Sequence, residues 1–281
     1  MPTSPRITFL GCGSMNEAIL GGILAGGFPK DRVTATVRRS ERAAELRVRH
    51  GITVLAGSED AAANRSAAAE ADVLIVGVKP AGVRAMLTEV GPVLKSGAVV
   101  VSVAAAVPLD LMEAALPAGA QVIRTMPNTP AKLGRGVTAL SAGTAAAPAS
   151  VDLVSSLLAG TGRVVQVPEE QINAVGSVSG SGPAYAFYLA EAMAKAGAEL
   201  GLDPELAAVL AAETLAGAGA MLAQPGADAA ALRRAVTSPN GTTEAAIGVF
   251  ADRDLPGIIA AGMAAAADRS AEITGELNAA P

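Results

Sequence analysis

Short runs of β-branched residues alternate with segments at helical spacing through the first 167 residues, and this alternation constrains the fold more than any other feature. Such alternation is typical of a parallel sheet covered by helices on both faces. The predicted strands are 7–11, 33–37, 52–55, 73–78, 99–103 and 122–126, with helices at 15–25, 41–49, 81–94 and 109–116. Two further predicted strands, 137–141 and 163–167, flank a helix at 149–158 and could close the sheet. We therefore expect a doubly wound, Rossmann-like α/β domain over residues 1–167.

The pattern changes after residue 167, where β-branched runs disappear and segments rich in alanine and leucine take over. They predict an all-α domain over residues 168–281, with helices at 170–178, 183–200, 204–223, 229–236, 243–252 and 255–275. Small residues let helix backbones approach closely, and a smooth apolar bundle can bury its surface against an identical partner. We expect a homodimer at least, and a higher oligomer of dimers stays open.

Composition narrows the classes of partner. The chain has 281 residues, 51% hydrophobic and 17% charged, which lies far from the composition of disordered chains. A net charge of −5, with 21 basic residues spread along the chain, offers no cationic surface for nucleic acid or anionic lipid. The longest uncharged run, 171–190, contains Gln171, Asn173 and Pro183 and is not typical of a membrane span. Because the N-terminal residues also lack the pattern of an export signal, we expect a cytoplasmic protein that binds small molecules or a second copy of itself, and neither nucleic acid nor a membrane.

The chain has one cysteine, Cys12, and one histidine, His50. A single cysteine excludes an internal disulfide, and the usual thiolate and histidine metal clusters need more such residues. We therefore predict no metal site. His50 is the only residue that could supply a catalytic imidazole, and we expect it to be a surface residue instead.

A glycine-rich turn, Gly11-Cys12-Gly13, follows the first predicted strand and leads into the first predicted helix. Glycines at these two positions permit a tight turn and let backbone N–H groups approach a pyrophosphate at the helix N-terminus. The third glycine position of the usual fingerprint holds Asn16. The turn predicts a dinucleotide site, and the alternative is a glycine turn that binds no ligand.

Arg38, Arg39 and Ser40 follow the second predicted strand. NAD-preferring proteins of this fold usually place an acidic residue here to bind the ribose diol, whereas a planar guanidinium suits the 2′-phosphate of NADP. These residues favour NADPH as the cofactor, with NADH bound more weakly. The alternative is that the two arginines are a solvated pair at a helix start.

Two more loops follow predicted strands. Lys79 and Pro80 close the strand at 73–78, where residues of an open α/β sheet face the ligand crevice. That position makes Lys79 a cofactor neighbour or, equally, a surface lysine. The segment 126–130, Met-Pro-Asn-Thr-Pro, presents an amide and a hydroxyl, and it is either an orienting loop or a structural turn.

Two loops of small residues lead into helices of the second domain, at 179–185 and 236–244. Both offer hydroxyls and backbone N–H donors at a helix start. Helix N-termini bind carboxylates without help from lysine or arginine. Each loop predicts an anion site, and for each the alternative is a capped turn.

Taken together, in this order and spacing, these motifs resemble the pyrroline-5-carboxylate reductase family over essentially the whole chain. The segments that carry the resemblance are 11–15 (GCGSM), 78–80 (VKP), 126–130 (MPNTP), 179–185 (SGSGPAY) and 237–243 (TSPNGTT). The family implies an N-terminal Rossmann domain and a C-terminal helical domain that interlocks with a second subunit to form the active site.

The resemblance also implies a cofactor site in the first domain. The glycine-rich turn would hold the pyrophosphate, the arginines would surround the adenosine phosphate, Asn64 would contact the adenine ribose, and two strand ends would border the nicotinamide. The implied cofactor-binding residues are Gly11, Cys12, Gly13, Ser14, Met15, Arg38, Arg39, Ser40, Asn64, Val78, Lys79, Pro80 and Ala104.

The implied substrate site lies in the second domain. Its residues, which would cradle a carboxylate, are Ser238, Asn240, Gly241, Thr242 and Thr243, with Thr243 the catalytic hydroxyl nearest the ring nitrogen. This chain departs from the family in two places, since Asn16 and Asn240 stand where glycine is usual. Asparagine tolerates positive φ better than most residues, so the substrate loop can keep its shape with a narrower pocket.

The implied reaction is NADPH-dependent reduction of 1-pyrroline-5-carboxylate to L-proline, the last step of proline biosynthesis. A protonated cyclic imine is already an electrophile, so hydride transfer needs no strong protein acid, which fits a chain with one histidine. Three alternatives are a reductase of another cyclic imino acid, a regulatory protein that binds the dinucleotide without turnover, and a 3-hydroxy acid dehydrogenase. The last would need Lys195 as its catalytic lysine, and the spacing of Lys195 from Glu191 better fits an exposed helix pair.

Overall fold

The computed structural model describes residues 4–279, which form two compact units. The first unit runs through Gly180 and resumes at Ala266, and the second comprises Ser181–Ala265. The first unit contains one sheet of eight strands. They are β1 Ile7–Leu10, β2 Val33–Val37, β3 Thr53–Ala56, β4 Val73–Val76, β5 Val99–Ser102, β6 Gln121–Met126, β7 Gly136–Ala142 and β8 Gly162–Gln166.

The strand order is β3-β2-β1-β4-β5-β6-β7-β8, and β1 to β6 run parallel. The helices of this unit are α1 Ser14–Ala25, α2 Ser40–His50, α3 Ala63–Ala69, α4 Val83–Val90, α5 Leu109–Ala114, α6 Pro148–Leu158 and α7 Ile172–Val175. The chain leaves β1 toward β2 on one side and returns to β4 on the other. The sheet therefore has a topological switch point between β1 and β4, where ligands bind in open α/β folds.

Apolar side chains cover both faces of the sheet. Every residue of β1 and β4 is buried, as expected for central parallel strands with helices on both sides. On one face, Ile19 of α1, Leu46 of α2 and Val154 of α6 join the core cluster, and on the other face Leu87 of α4 and Met112 of α5 join a second cluster. The predicted doubly wound α/β class is confirmed.

The last two strands correct the expectation of a uniformly parallel sheet. β7 pairs antiparallel with β6, through Arg124 opposite Ser141, and β8 runs parallel to β7. The connection from Met126 to Gly136 holds only a short 3₁₀ turn, whereas a parallel connection needs a crossover of a dozen or more residues. β7 must therefore reverse, and the α6 crossover then sets β8 parallel to it.

The second unit is helical, as predicted. Its helices are α8 Gly182–Glu199, α9 Pro204–Leu222, α10 Ala229–Ala235, α11 Thr242–Asp252 and the first part of α12 Leu255–Ala279. Within the described residues of this unit only Ala207 and Ala211 are buried, while Phe187 is 68% and Tyr188 73% exposed. α9 is long and apolar enough to cross a membrane, by length and composition alone. A single copy of this unit thus leaves a broad apolar surface uncovered.

The boundary between the units differs from the predicted division at residues 167 and 168. The segment through Gly180 stays with the sheet because Asn128 Nδ2 donates to the Ser179 carbonyl at 3.0 Å. The end of α12 also belongs to the sheet unit, since Thr274 Oγ1 donates to the Ala106 carbonyl at 2.8 Å. The helical unit is therefore inserted between two segments of the first unit.

Candidate functional site

The carboxyl ends of β1, β2, β4 and β5 lie side by side at the switch point of the sheet. The residues that follow these four strands include all the predicted cofactor residues except Asn64. Asn64 joins them through Thr36 at the end of β2, whose hydroxyl donates to Asn64 Oδ1 at 2.8 Å. The structure thus brings the predicted cofactor residues to one edge of one sheet.

The glycine-rich turn leaves the start of α1 uncapped. Gly11 has a φ of +72°, and a Cβ there would lie 2.7 Å from Val78 Cγ1, so glycine is required on both counts. Gly13 is the N-cap residue and offers no side chain to bond the first N–H groups of the helix. A Cβ on Gly13 would meet nothing within 4 Å. The first N–H groups of α1 thus have no side-chain partner, and there is free space beside Gly13, which is an arrangement that suits a pyrophosphate.

Cys12 is bound into the fold. Its side chain is 2% exposed, and its N–H donates to the Thr36 carbonyl at 2.9 Å. Burial raises the pKa of the thiol to about 12; the negative charge of Glu17 raises it further and Arg42 lowers it. Neither the thiol nor the N–H is therefore free to bind a ligand, so within the predicted cofactor set Cys12 acts as a core residue.

Asn16, at the unusual fingerprint position, ties the turn to the sheet. Its side chain is buried, and Nδ2 donates to the carbonyls of Leu10, Gly11 and Ile75 at 3.2–3.4 Å. A Cβ on Gly77 would lie 2.4 Å from the Asn16 amide, so these two residues are fitted to each other. Nδ2 thus ties the glycine-rich turn to β1 and β4, while the buried Oδ1 of Asn16 has no hydrogen-bond partner among residues 4–279.

Arg38 and Arg39 are exposed at the start of α2, and neither has an ion-pair partner among residues 4–279. Arg39 is the N-cap residue of α2, and Ser40 is its first residue. No carboxylate occupies the end of β2, where Val37 precedes the arginines. Unpaired guanidiniums beside a helix start are groups of the kind that bind phosphate in proteins.

At the end of β4, Lys79 is exposed, and its carbonyl accepts from the N–H of Gly82 in a tight 3₁₀ turn that begins at Pro80. At the end of β5, Ala104 is buried and its N–H bonds Ser102 Oγ at 3.3 Å. Lys79 and Ala104 thus follow neighbouring strands.

The side chain of Asn128 has a structural role instead of the orienting role considered for its loop. Its Oδ1 accepts a hydrogen bond from Val137 N at 2.8 Å, and its Nδ2 donates to the Ser179 carbonyl.

A charged cluster beside the glycine-rich turn was not predicted. Glu17, in the first turn of α1, accepts hydrogen bonds from Arg42 and from Arg49, the latter at 2.6 Å, and lies 3.1 Å from His50 Nε2. His50 is therefore partly buried in an ion-pair cluster, which corrects its expected surface position. Burial raises the pKa of Glu17, but the hydrogen bonds from His50, Arg42 and Arg49 outweigh it and lower that pKa to about 2.

We expect Glu17→Gln to lower the free energy of unfolding by about 2 kcal/mol at pH 7, because hydrogen bonds to a charged group are lost. A carboxyl whose pKa falls from 4.5 to about 2 on folding stabilises the protein above pH 4.5 and loses that effect as the pH falls toward 2. The difference between the wild type and the variant should therefore shrink over this range. Urea unfolding between pH 7 and pH 3 measures it.

Glu170→Gln is the matched control, since Glu170 is exposed and has no hydrogen bond or ion pair among residues 4–279. It should leave the unfolding free energy within about 0.5 kcal/mol of the wild type. A Glu17→Gln effect that stays the same at every pH would mean that packing, and not the carboxylate, holds α1 against α2.

The predicted substrate loop lies in the second unit and leads into α11, whose start is also not capped by a side chain. Gly241 is the N-cap residue of α11 and supplies no side-chain bond to the first turn. Asn240 has a φ of +58°, which asparagine tolerates, and its N–H donates to Glu244 Oε2 at 2.7 Å. The hydroxyls of Thr242 and Thr243 are exposed, with no hydrogen-bond partner among residues 4–279. The loop can bind a small anion through N–H groups and hydroxyls.

Two family models match the chain. Residues 169–273 match the model described as pyrroline-5-carboxylate reductase dimerisation. Residues 6–106 match the model described as NADP oxidoreductase, coenzyme F420-dependent. The first match covers the helical unit, and the second covers β1 to β5 with the loops that follow them.

Individual proteins match over nearly the whole chain. The pyrroline-5-carboxylate reductase of Pseudomonas aeruginosa is 39% identical over 276 residues, which cover 98% of this chain and 99% of that protein. The structure of a pyrroline-5-carboxylate reductase from Coxiella burnetii superposes with a TM-score of 0.89 at 33% identity, and covers 97% of this chain and 99% of that one. Plasmodium falciparum pyrroline carboxylate reductase, solved with NADP bound, has the same fold, with a TM-score of 0.83 at 20% identity over 96% of this chain and 98% of that one.

Proposed function

The chain belongs to the pyrroline-5-carboxylate reductase family, and we propose that it reduces 1-pyrroline-5-carboxylate to L-proline with NADPH as the cofactor. This assigns it to the oxidoreductases that act on CH–NH groups, at the last step of proline biosynthesis. One observation carries the proposal: two of the helix starts that no side chain caps, at Gly13 and at Gly241, each begin at a glycine and are set among small or hydroxyl residues. The reaction needs two anions, a dinucleotide and an imino acid, to bind at the same time, and each helix start suits one of them.

We assign the NADPH site to the first unit because residues of that unit suit the charged and polar groups of the cofactor. The open first turn of α1 at Gly13 suits the pyrophosphate, and the unpaired Arg38 and Arg39 suit the 2′-phosphate. Asn64 Oδ1 is bonded to Thr36, while its Nδ2 has no partner within residues 4–279 and suits a ribose hydroxyl. NADPH supplies the hydride when bound, and NADH is expected to bind more weakly because it lacks the phosphate.

The substrate carboxylate is assigned to the start of α11. There the N–H groups of the first turn and the hydroxyls of Ser238 and Thr242 would hold and orient it. Thr243 is assigned to the ring nitrogen, where its hydroxyl accepts the hydrogen bond of the protonated imine. Since that imine is already an electrophile, the residues mainly fix distance and angle. Aligning two bound reactants is by itself a large contribution to rate.

Self-association through the helical unit is part of the proposal. The match of residues 169–273 to a dimerisation family and the exposed apolar side chains of that unit, such as Phe187 and Ile258, support a homodimer at least. A second copy would cover this surface, including the apolar helix α9, which leaves no need to assign α9 to a membrane. We also propose a cytoplasmic location and no nucleic-acid partner, in keeping with the net charge of −5.

The deciding experiment follows the absorbance of NADPH after 1-pyrroline-5-carboxylate is added, with parallel reactions that contain NADH or the six-membered cyclic imine. We expect rapid, imine-dependent oxidation of NADPH, slower oxidation of NADH and a preference for the five-membered ring. A preference for the six-membered ring would favour a reductase of a related imino acid. Tight NADPH binding without turnover on any imine would favour a regulatory protein and contradict the proposal.

A further inference from the structure

An alanine with left-handed backbone lies in the loop that follows β5. Ala106 has a φ of +61° and is buried. The other non-glycine residues with positive φ are an asparagine and an aspartate, which tolerate this conformation, whereas alanine in it costs about 1–2 kcal/mol. Ala106 comes two residues after Ala104, which the family resemblance places on the nicotinamide side of the cofactor site. Backbone strain thus lies next to the reacting end of the cofactor.

Both ends of this loop are fixed by hydrogen bonds. At the start, Val103 N donates to the Val76 carbonyl at 3.0 Å, which continues the pairing of β5 with β4. At the other end, Leu109 N donates to Glu169 Oε1 at 2.7 Å, and Arg124 holds the same carboxylate oxygen at 2.9 Å. These hydrogen bonds do not fix the conformation of the residues between Val103 and Leu109, so other contacts must do so.

The end of α12 supplies the contact that holds the middle of the loop. Thr274 Oγ1 donates to the Ala106 carbonyl at 2.8 Å, across 168 residues of sequence. Within residues 4–279 no other side chain forms a hydrogen bond with Ala106. The hydroxyl also lies 3.0 Å from the Ser270 carbonyl, an acceptor that a helical threonine normally uses. The two carbonyls share the single hydrogen of this hydroxyl, and the shorter distance is the one to Ala106.

α12 is anchored on both sides of Thr274. One turn earlier, Ser270 Oγ donates to Asn173 Oδ1 at 3.0 Å. One turn later, Leu277 packs against the apolar cluster of α4 and α5, and Arg84 Nη2 donates to the Leu277 carbonyl at 3.3 Å. The Thr274 hydroxyl is therefore held in place by contacts that do not involve the loop.

We infer that Thr274 is a positioning residue for hydride transfer, because its hydrogen bond to the Ala106 carbonyl holds the loop that carries Ala104 against the nicotinamide. The inference rests on the proposed function. It assigns to the end of α12, outside every predicted site residue, a role in aligning the cofactor. Without the hydroxyl, Ala106 would relax toward negative φ and the loop would shift.

The test compares Thr274→Val, which keeps the shape and removes the hydroxyl, with Thr274→Ser, which keeps the hydroxyl. We expect Thr274→Val to lower kcat about tenfold, since a small misplacement of reacting groups is costly, and to change the Kd of NADPH less than about twofold. The deuterium isotope effect with NADPH labelled at the transferred position should rise, because hydride transfer becomes slower relative to the other steps. Thr274→Ser should restore kcat.

The same substitution in an Ala106→Gly background separates positioning from general stability. Glycine adopts positive φ without penalty, so Thr274→Val should there cost less than about threefold in kcat. Glu272→Gln is the matched control, since it weakens an exposed ion pair of α12 with Arg269 without touching the loop or the anchors of Thr274, and it should leave kcat unchanged. Thr274→Ala serves if the valine variant does not fold.

Three results would overturn the inference: an unchanged kcat or isotope effect in Thr274→Val, an equal loss of kcat in both backgrounds, or an equal loss in Glu272→Gln. Each would leave the proposed function standing, because the wild type still reduces the imine. A wild type that binds NADPH and oxidises none of it with 1-pyrroline-5-carboxylate would contradict the proposed function, and this inference with it.

Discussion

NADPH affinity is expected to fall about 100-fold when Arg38 and Arg39 are both replaced by alanine, while NADH affinity should stay within about twofold. The reason is local electrostatics. Both guanidiniums lie at the start of α2 with no ion-pair partner among residues 4–279, so their charge is available to the 2′-phosphate that only NADPH carries. Two charge-assisted contacts of about 1.5 kcal/mol each account for that loss. Fluorescence titration of each cofactor gives the two dissociation constants.

Arg163→Ala is the control for general loss of positive charge. Arg163 is exposed on β8, at the far end of the sheet from β2, and its removal should leave both affinities unchanged. If the double variant weakens NADPH and NADH by the same factor, the arginines act on a part of the cofactor that both share, and the assignment to the 2′-phosphate is wrong.

Thr243→Val should reduce kcat/KM for 1-pyrroline-5-carboxylate about 100-fold, the second large effect. The substitution keeps the branched shape at the second residue of α11 and removes a hydroxyl that no other described group uses. A lost hydrogen bond to a charged ring nitrogen costs about 1.5–3 kcal/mol, and most of that loss should fall on kcat if the contact tightens during hydride transfer. Steady-state kinetics at saturating NADPH separate kcat from KM.

Two further variants, Thr243→Ser and Thr88→Val, serve as controls for that result. The serine variant keeps the hydroxyl and should recover most of the activity. Thr88, whose hydroxyl bonds the Arg84 carbonyl within α4, tests loss of a threonine hydroxyl in general and should leave kinetics unchanged. Unaltered turnover and substrate affinity in Thr243→Val would mean that the assignment of Thr243 to the ring nitrogen is wrong.

The sequence predicted the strands well because their signal is local. Six parallel strands begin and end within two residues of their predicted limits, since a buried strand needs a continuous apolar run, rich in β-branched residues, such as Val73–Val76. The reversal of β7 was missed although its cause, the short connection from Met126 to Gly136, is visible in the sequence. The boundary at Gly180 depends on tertiary hydrogen bonds such as Asn128 to Ser179, which no local pattern records.

In the candidate site, too, local sequence patterns could predict some features and not others. Helix starts at Gly13 and Gly241 could be predicted, because glycine between a loop and a helical segment is a local signal. The burial of Cys12 and the cluster around Glu17 could not, because both depend on how α1 packs against the rest of the sheet unit. Thr274 also escaped notice, since nothing near it in the sequence points to a loop 168 residues away.

The insertion of the helical unit between Gly180 and Ala266 has a consequence for limited proteolysis. A single cut within residues 181–265 leaves two fragments that both contain parts of the sheet unit. The C-terminal fragment remains bound through Leu277, Thr274 and Ser270, whose contacts with the sheet unit do not depend on chain continuity. A nicked protein should therefore migrate as two bands under denaturing conditions and as one species in solution, so release of a fragment is a poor measure of cleavage in this fold.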